Sequence, residues 1–183
     1  MVRPTAVAVL LTSFAVPALA APPPSAPPVL EKRLVLKDTV ELLVPKDFVA
    51  MNDDEIRLTY SAAQRPSVAF RNADASVTIA VTHSLSRVTQ AQLTSVRNNA
   101  VAQLRTAHPQ AVWLKAGNQS VAGQPGFGLD LKTGPDKRAS RLMLLSTSLN
   151  GRLFTVTLTA PVAQEARWGP ALEQIAKSVT VKR

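Results

Sequence analysis

The stretch Met143-Leu144-Leu145-Ser146-Thr147-Ser148-Leu149-Asn150-Gly151-Arg152-Leu153-Phe154-Thr155-Val156-Thr157-Leu158 reads as two strands joined by a tight turn. Asn150 and Gly151 both tolerate positive φ, which a two-residue type I′ turn requires at its central positions. Such a loop pairs Leu149 with Arg152, and hence Thr147 with Phe154, Leu145 with Val156 and Met143 with Leu158. Every inner pair on that face is apolar or carries a threonine methyl, so turn chemistry and side-chain pairing select the same register. Leu142 to Leu145 are all apolar, which places this strand inside a sheet with cover on both faces.

Upstream of the hairpin, Phe127, Leu129 and Leu131 alternate with Gly128, Asp130 and Lys132, the pattern of another strand. Val112 to Val121 supplies a strand before it, irregular at Ala116-Gly117-Asn118, with a turn at Gly123-Gln124-Pro125-Gly126. Gly134-Pro135-Asp136 turns again, and here the register stays open. A five-residue loop sets Leu129 opposite Met143, and a four-residue loop sets it opposite Leu142, on the other face. Earlier still, Thr89 with Gln92 forms a capping box, and Leu93, Val96, Ala100, Val101 and Leu104 make one helical stripe that Pro109 stops.

Near the start, Arg33 to Leu36 and Val40 to Val44 are short apolar runs broken by Lys37-Asp38-Thr39, and Asn52-Asp53-Asp54 reads as a polar loop. Ile56, Leu58 and Tyr60 alternate with Arg57 and Thr59, as do Val77, Ile79 and Val81 with threonine and alanine; both segments read as strands. After the hairpin, Gly169 can cap a last helix with Pro170 at its first position, and Trp168, Leu172, Ile175 and Val179 form its stripe. The order predicts an α+β domain in which helices pack on an antiparallel β-meander.

Residues 1–20 read as a secretory signal peptide: Arg3, an apolar run from Ala6 to Val16, and small residues before a cleavage point after Ala20. The run is too short to span a bilayer of about 30 Å. Residues 21–28 form a proline-rich linker that favours extended polyproline II, which leaves a single folded domain over residues 29–183. The expected location is therefore periplasmic or secreted, with no transmembrane segment.

The chain has 183 residues, no cysteine and a net charge of +9. Lack of cysteine excludes a disulfide scaffold, a thiolate metal site, a cysteine nucleophile and a lipid anchor on cysteine. His83 and His108 each lack a second ligand at helical spacing, so no metal site is expected. Ser120 lies among glycines at the wrong spacing for a nucleophile elbow. Gly123, Gly126 and Gly128 precede no helix that could receive a phosphate. Asp53, Asp54 and Glu55 lack the spacing of a calcium loop. No catalytic residue and no cofactor emerge. Residues 76–183 hold 13 basic and 4 acidic side chains, so the positive excess belongs to the second half. Lys132, Lys137, Arg138 and Arg141 gather around one hairpin turn, a candidate contact for anionic partners. Nucleic acid is not expected, since export and scarce aromatics argue against it.

The early strand leading into Val44-Pro45-Lys46-Asp47-Phe48, the strand-then-helix unit from Val77 to Ala107, the Val121-to-Gly126 turn and the Asn150-to-Leu158 strand before a last helix together resemble the PsbP/Mog1-like superfamily, including bacterial periplasmic proteins of the DcrB type. The resemblance covers residues 34 to 181. It implies a non-enzymatic accessory protein that acts through protein–protein contacts in the cell envelope, with no catalytic constellation to carry over. The alternative is a binder of anionic envelope ligands (lipid, lipopolysaccharide or polymer) through the basic hairpin face.

Overall fold

The computed structural model describes residues 26–136 and 139–182. In chain order the elements are β1 (Leu30–Val35), β2 (Val40–Pro45), β3 (Val49–Ala50), α1 (Asp53–Thr59), β4 (Val68–Arg71), β5 (Thr78–Arg87), α2 (Leu93–Ala107), β6 (Val112–Val121), β7 (Gln124–Lys132), β8 (Ser140–Leu149), β9 (Arg152–Pro161), α3 (Glu165–Ser178) and β10 (Thr180–Val181). The signal-peptide reading, most of the linker and the candidate contacts Lys137 and Arg138 lie outside the described residues.

The hairpin forms in the register read from the sequence. Leu149 pairs with Arg152, Thr147 with Phe154, Leu145 with Val156 and Met143 with Leu158. Asn150 and Gly151 take φ of 52° and 72°, as the type I′ turn demands. From this hairpin a seven-stranded sheet extends in the order β3-β4-β5-β9-β8-β7-β6. Helix α2 carries the chain from β5 across the sheet to the far edge. The meander β6 to β9 then returns until β9 pairs antiparallel with β5. A second sheet, β1-β2-β10, is also antiparallel.

Every described strand pairing is antiparallel, and helices lie on both faces of the large sheet, so the fold is α+β as expected. One face holds the main core. Val40, Leu42 and Val44 of β2 meet Ile79 and Val81 of β5, Phe154, Val156 and Leu158 of β9, and Trp168, Leu172 and Ile175 of α3. Burying each of these large apolar side chains stabilises the fold by about 1.5–3 kcal/mol. The other face packs the α2 stripe of Leu93, Val96, Ala100, Val101 and Leu104 on Phe127, Leu129, Leu144 and Leu153. The Thr89–Gln92 capping box opens the α2 segment, and the helix ends at Ala107, ahead of Pro109.

Four readings are corrected. Residues 53–59 form a helix, not a polar loop followed by a strand. Asn52 Oδ1 accepts from the Glu55 N–H (2.9 Å) and Glu55 Oε2 accepts from the Asn52 N–H (2.8 Å). That capping box, with three acidic residues on the first turn, outweighs the short alternation. Leu58 is accordingly 88% exposed, whereas Ile56 is buried.

The turn after β6 is Ala122-Gly123, both at positive φ, so Gln124, Pro125 and Gly126 belong to β7. The third correction concerns the open register: Leu129 faces Leu144, and Lys132 faces Arg141. The connection is longer than either loop considered. The Thr133 N–H donates to the Ser140 carbonyl (2.9 Å), and the Ser140 N–H donates to Thr133 Oγ1 (3.0 Å), which extends the ladder beyond Lys132. Finally, α3 begins at Glu165, which puts Pro170 inside it. Trp168 Nε1 donates to Gln164 Oε1 (2.9 Å), tying down the turn that precedes the proline.

Glu55 also accepts from Arg71 Nε (3.1 Å), and this guanidinium, with the cap, holds its carboxyl below the usual carboxylate range. A depressed folded value means that the contribution is present above the ordinary value of 4.5 and is lost as pH falls through the folded value. Glu55→Gln should flatten the acid limb of a stability-versus-pH curve measured by urea unfolding and leave its alkaline side unchanged in slope.

Candidate functional site

The alternation of β7 sends Gly128 and Asp130 to the face opposite Phe127 and Leu129. On that face the α3 cover stops short of the sheet edge. A groove of about 470 Å³ results, lined among others by Lys115 and Gln119 of β6, Asp130 of β7, Met143 and Leu145 of β8, and Lys177 of α3. Gln119 lies across Gly128: a Cβ there would come within 2.4 Å of its Nε2. Lys115 Nζ donates to Gln119 Oε1 (2.6 Å) and holds that amide in place.

At the inner end of the groove Arg141 is 7% exposed. Its Nε donates to Asp130 Oδ1 (3.0 Å) and its Nη2 to Asp130 Oδ2 (2.7 Å), a bidentate pair. Nη2 also reaches Glu173 Oε1 (3.3 Å), and Nη1 lies 4.0 Å from Glu165 Oε1. Lys132 Nζ donates to Glu165 Oε2 (2.6 Å). Hydrogen bonding to Asp130, outweighing burial and aided by Glu173, raises the Arg141 guanidinium further above its already high value. Two sheet cations are thus bound to three carboxylates, two of them from α3, and the network staples that helix to the meander.

This geometry changes the meaning of two of the four candidate anion contacts. Lys132 and Arg141 stand side by side, as a hairpin tip would have them, but both are neutralised within the chain. Asp130 is the partner that the sequence reading missed. Its place opposite Met143, two residues along the ladder from Arg141 and on the same face, follows only from the register that was left open. His83 Nε2 lies 3.1 Å from the Leu149 carbonyl oxygen, and His108 ends α2; neither lines the groove. Among the described residues no three histidine, aspartate or glutamate side chains converge as a metal site.

The outer rim of the groove is β6, the edge of the large sheet. Val112 and Leu114 on it are about half exposed, at 45% and 46%. Arg97 Nη1 donates to Asn118 Oδ1 (2.7 Å), and the Arg105 guanidinium lies 5.9 Å from the Trp113 ring centre. With Lys115, three cations flank this edge. The sequence from Ala75 to Leu129 contains no aspartate or glutamate, so β5, α2 and β6 carry no acid, and Asp130 of β7, opposite Lys115, is held by Arg141. The arrangement provides charge and hydrogen-bond recognition beside an apolar rim.

Against solved structures, the chain is similar to cyanobacterial PsbP from Synechocystis sp. PCC 6803, with a TM-score of 0.58, 18% identity, and 90% of this chain and 99% of that one covered. The fold is PsbP/Mog1-like. The Ran-binding protein Mog1p of Saccharomyces cerevisiae matches with a TM-score of 0.52 and 12% identity over 84% of this chain and 95% of that one. LpqN, described as involved in cell envelope biogenesis of Mycobacterium tuberculosis, matches at 0.55 and 14% over 85% and 91%. No family model matches the sequence, and a search of curated proteins found no match. The PsbP/Mog1-like fold accounts for the long meander and for helices on both of its faces.

Removing one member of a buried pair leaves its partner unpaired in a poor solvent for charge. Asp130→Ala should therefore cost about 3–5 kcal/mol. Glu173→Ala, whose side chain is 52% exposed, should cost less than about 1 kcal/mol. Chemical denaturation of both variants checks this. Replacing Asp130 and Arg141 together by apolar residues should recover much of the loss.

Proposed function

We propose that this chain is an exported, non-enzymatic accessory protein of the cell envelope that works by holding an acidic partner protein along β6. The open cationic edge of the large sheet carries the reading. An unpaired edge strand offers a row of backbone donors and acceptors to an added strand. Val112 and Leu114 supply apolar contact, and Arg97, Arg105 and Lys115 favour an acidic segment. Long-range attraction would speed encounter, and salt would weaken it.

Two further observations support the reading. Among proteins of similar fold, Mog1p is a Ran-binding protein and LpqN is involved in cell envelope biogenesis. No helix among the described residues is long and apolar enough to cross a membrane. Export rests on the signal-peptide reading of residues 1–20.

A photo-crosslinking residue at position 114 should capture an acidic envelope protein in living cells. The same probe at position 58, an exposed apolar site on α1, should not. With the captured protein purified, Leu114→Glu combined with Lys115→Glu should weaken binding at least about tenfold, the loss of one charge-assisted contact. Equal capture at both positions, or unchanged affinity, overturns the β6 reading.

A further inference from the structure

A second cleft, of about 500 Å³, opens beside the first turn of α3. It is lined by Ala26, Pro27, Pro28, Val29, Lys46, Asp47 and Arg167 and shares no residue with the groove at β6. Arg167 is unusual there. Its guanidinium lies 5.0 Å from the centre of the Trp168 ring, and its Nε is sealed from solvent with no hydrogen-bond partner. Asp130 supplies a bidentate carboxylate to Arg141 and Glu55 accepts from Arg71, but among the described residues no carboxylate pairs with Arg167. A buried donor without an acceptor is destabilising, and an oxyanion brought to it would relieve that.

The rest of the lining narrows the chemistry. Trp168 is buried and its ring lies under the guanidinium, whose planar fork suits recognition of carboxylate or phosphate. Lys46 adds a second positive charge. Asp47 opposes it, which limits the site to a single anionic group. The remaining wall is apolar: Ala26, Pro27, Pro28 and Val29, the segment ahead of β1. The Lys46 N–H donates to the Val29 carbonyl (2.9 Å) and holds this wall in place.

We propose that this cleft binds an oxyanion, a phosphate or carboxylate, carried on an apolar body, with Arg167 as the fork and Lys46 as the second cation. Ala26, Pro27 and Pro28 then have a role beyond spacing, because with Val29 they form the apolar wall against which the body of the ligand lies.

The test uses the ¹⁵N-labelled chain with the proline-rich segment retained, titrated with dodecyl phosphate below its micellar concentration. The Arg167 Nε–Hε resonance should move and saturate. Arg167→Gln should weaken binding about tenfold, as expected for loss of charge-assisted hydrogen bonds, and Lys46→Gln by less. Arg65→Gln, a change outside the cleft, should leave it unaltered. Inorganic phosphate should bind much more weakly; equal affinity overturns the apolar-body part of the proposal and assigns the site to free phosphate. A resonance that stays still, a matching response to dodecyltrimethylammonium, or equal binding by Arg167→Gln and Arg65→Gln overturns the site itself. Should Arg167→Gln fail to fold, Arg167→Lys keeps the charge but loses the fork, and undiminished binding by that variant overturns the forked contact.

Discussion

Strand β8 carries apolar side chains on both of its faces, and the rest of the molecule answers that constraint. Met143 and Leu145 look one way and Leu142 and Leu144 the other. A strand of this kind is unstable at an edge or with one face in water, so it needs neighbours on both sides and cover on both faces. The meander supplies β7 and β9 as neighbours. Helix α2 covers one face, and α3 with β1, β2 and β10 covers the other. The crossover of α2 from β5 to the far edge supplies one cover and also leaves β6 as the open rim.

Charge is organised around the same packing. The cations of the second half divide into two populations. Lys132 and Arg141 are consumed in fastening α3, because a guanidinium placed under a helix must find carboxylates or lose more in desolvation than it gains. Arg97, Arg105 and Lys115 instead lie along the β6 edge, where among the described residues none of them forms an ion pair, and the acid opposite Lys115, Asp130, is held by Arg141. Net charge therefore says little about how the cations are used, and no aspartate or glutamate falls between Asp74 and Asp130.

Much of the fold was legible in the residues. The Asn150-Gly151 hairpin, the α2 stripe and the α3 stripe each rest on interactions within a few residues, where turn geometry or helical period dominates. Ile56, Leu58 and Tyr60 misled because three alternating residues weigh less than the Asn52 and Glu55 cap beside them. Pro170 misled because a helix can begin a turn earlier when Trp168 and Gln164 secure it. The candidate site was less legible. Asp130 and Arg141 are separated by a connection whose length alone sets their pairing, and Arg167 carries no local pattern that distinguishes it from any surface arginine.

By itself, the sequence determined the elements whose energetics are local: which segments turn, which present one apolar face, and where the cations lie along the chain. Only the tertiary structure decided which of those cations are paired within the chain. Burial, register and the approach of α3 bring Asp130, Glu165 and Glu173 to Lys132 and Arg141, while among the described residues Lys115 and Arg167 form no ion pair. Pairing of charges is a property of distances in space, and those distances are set by strand register and helix docking, which no short window of residues contains.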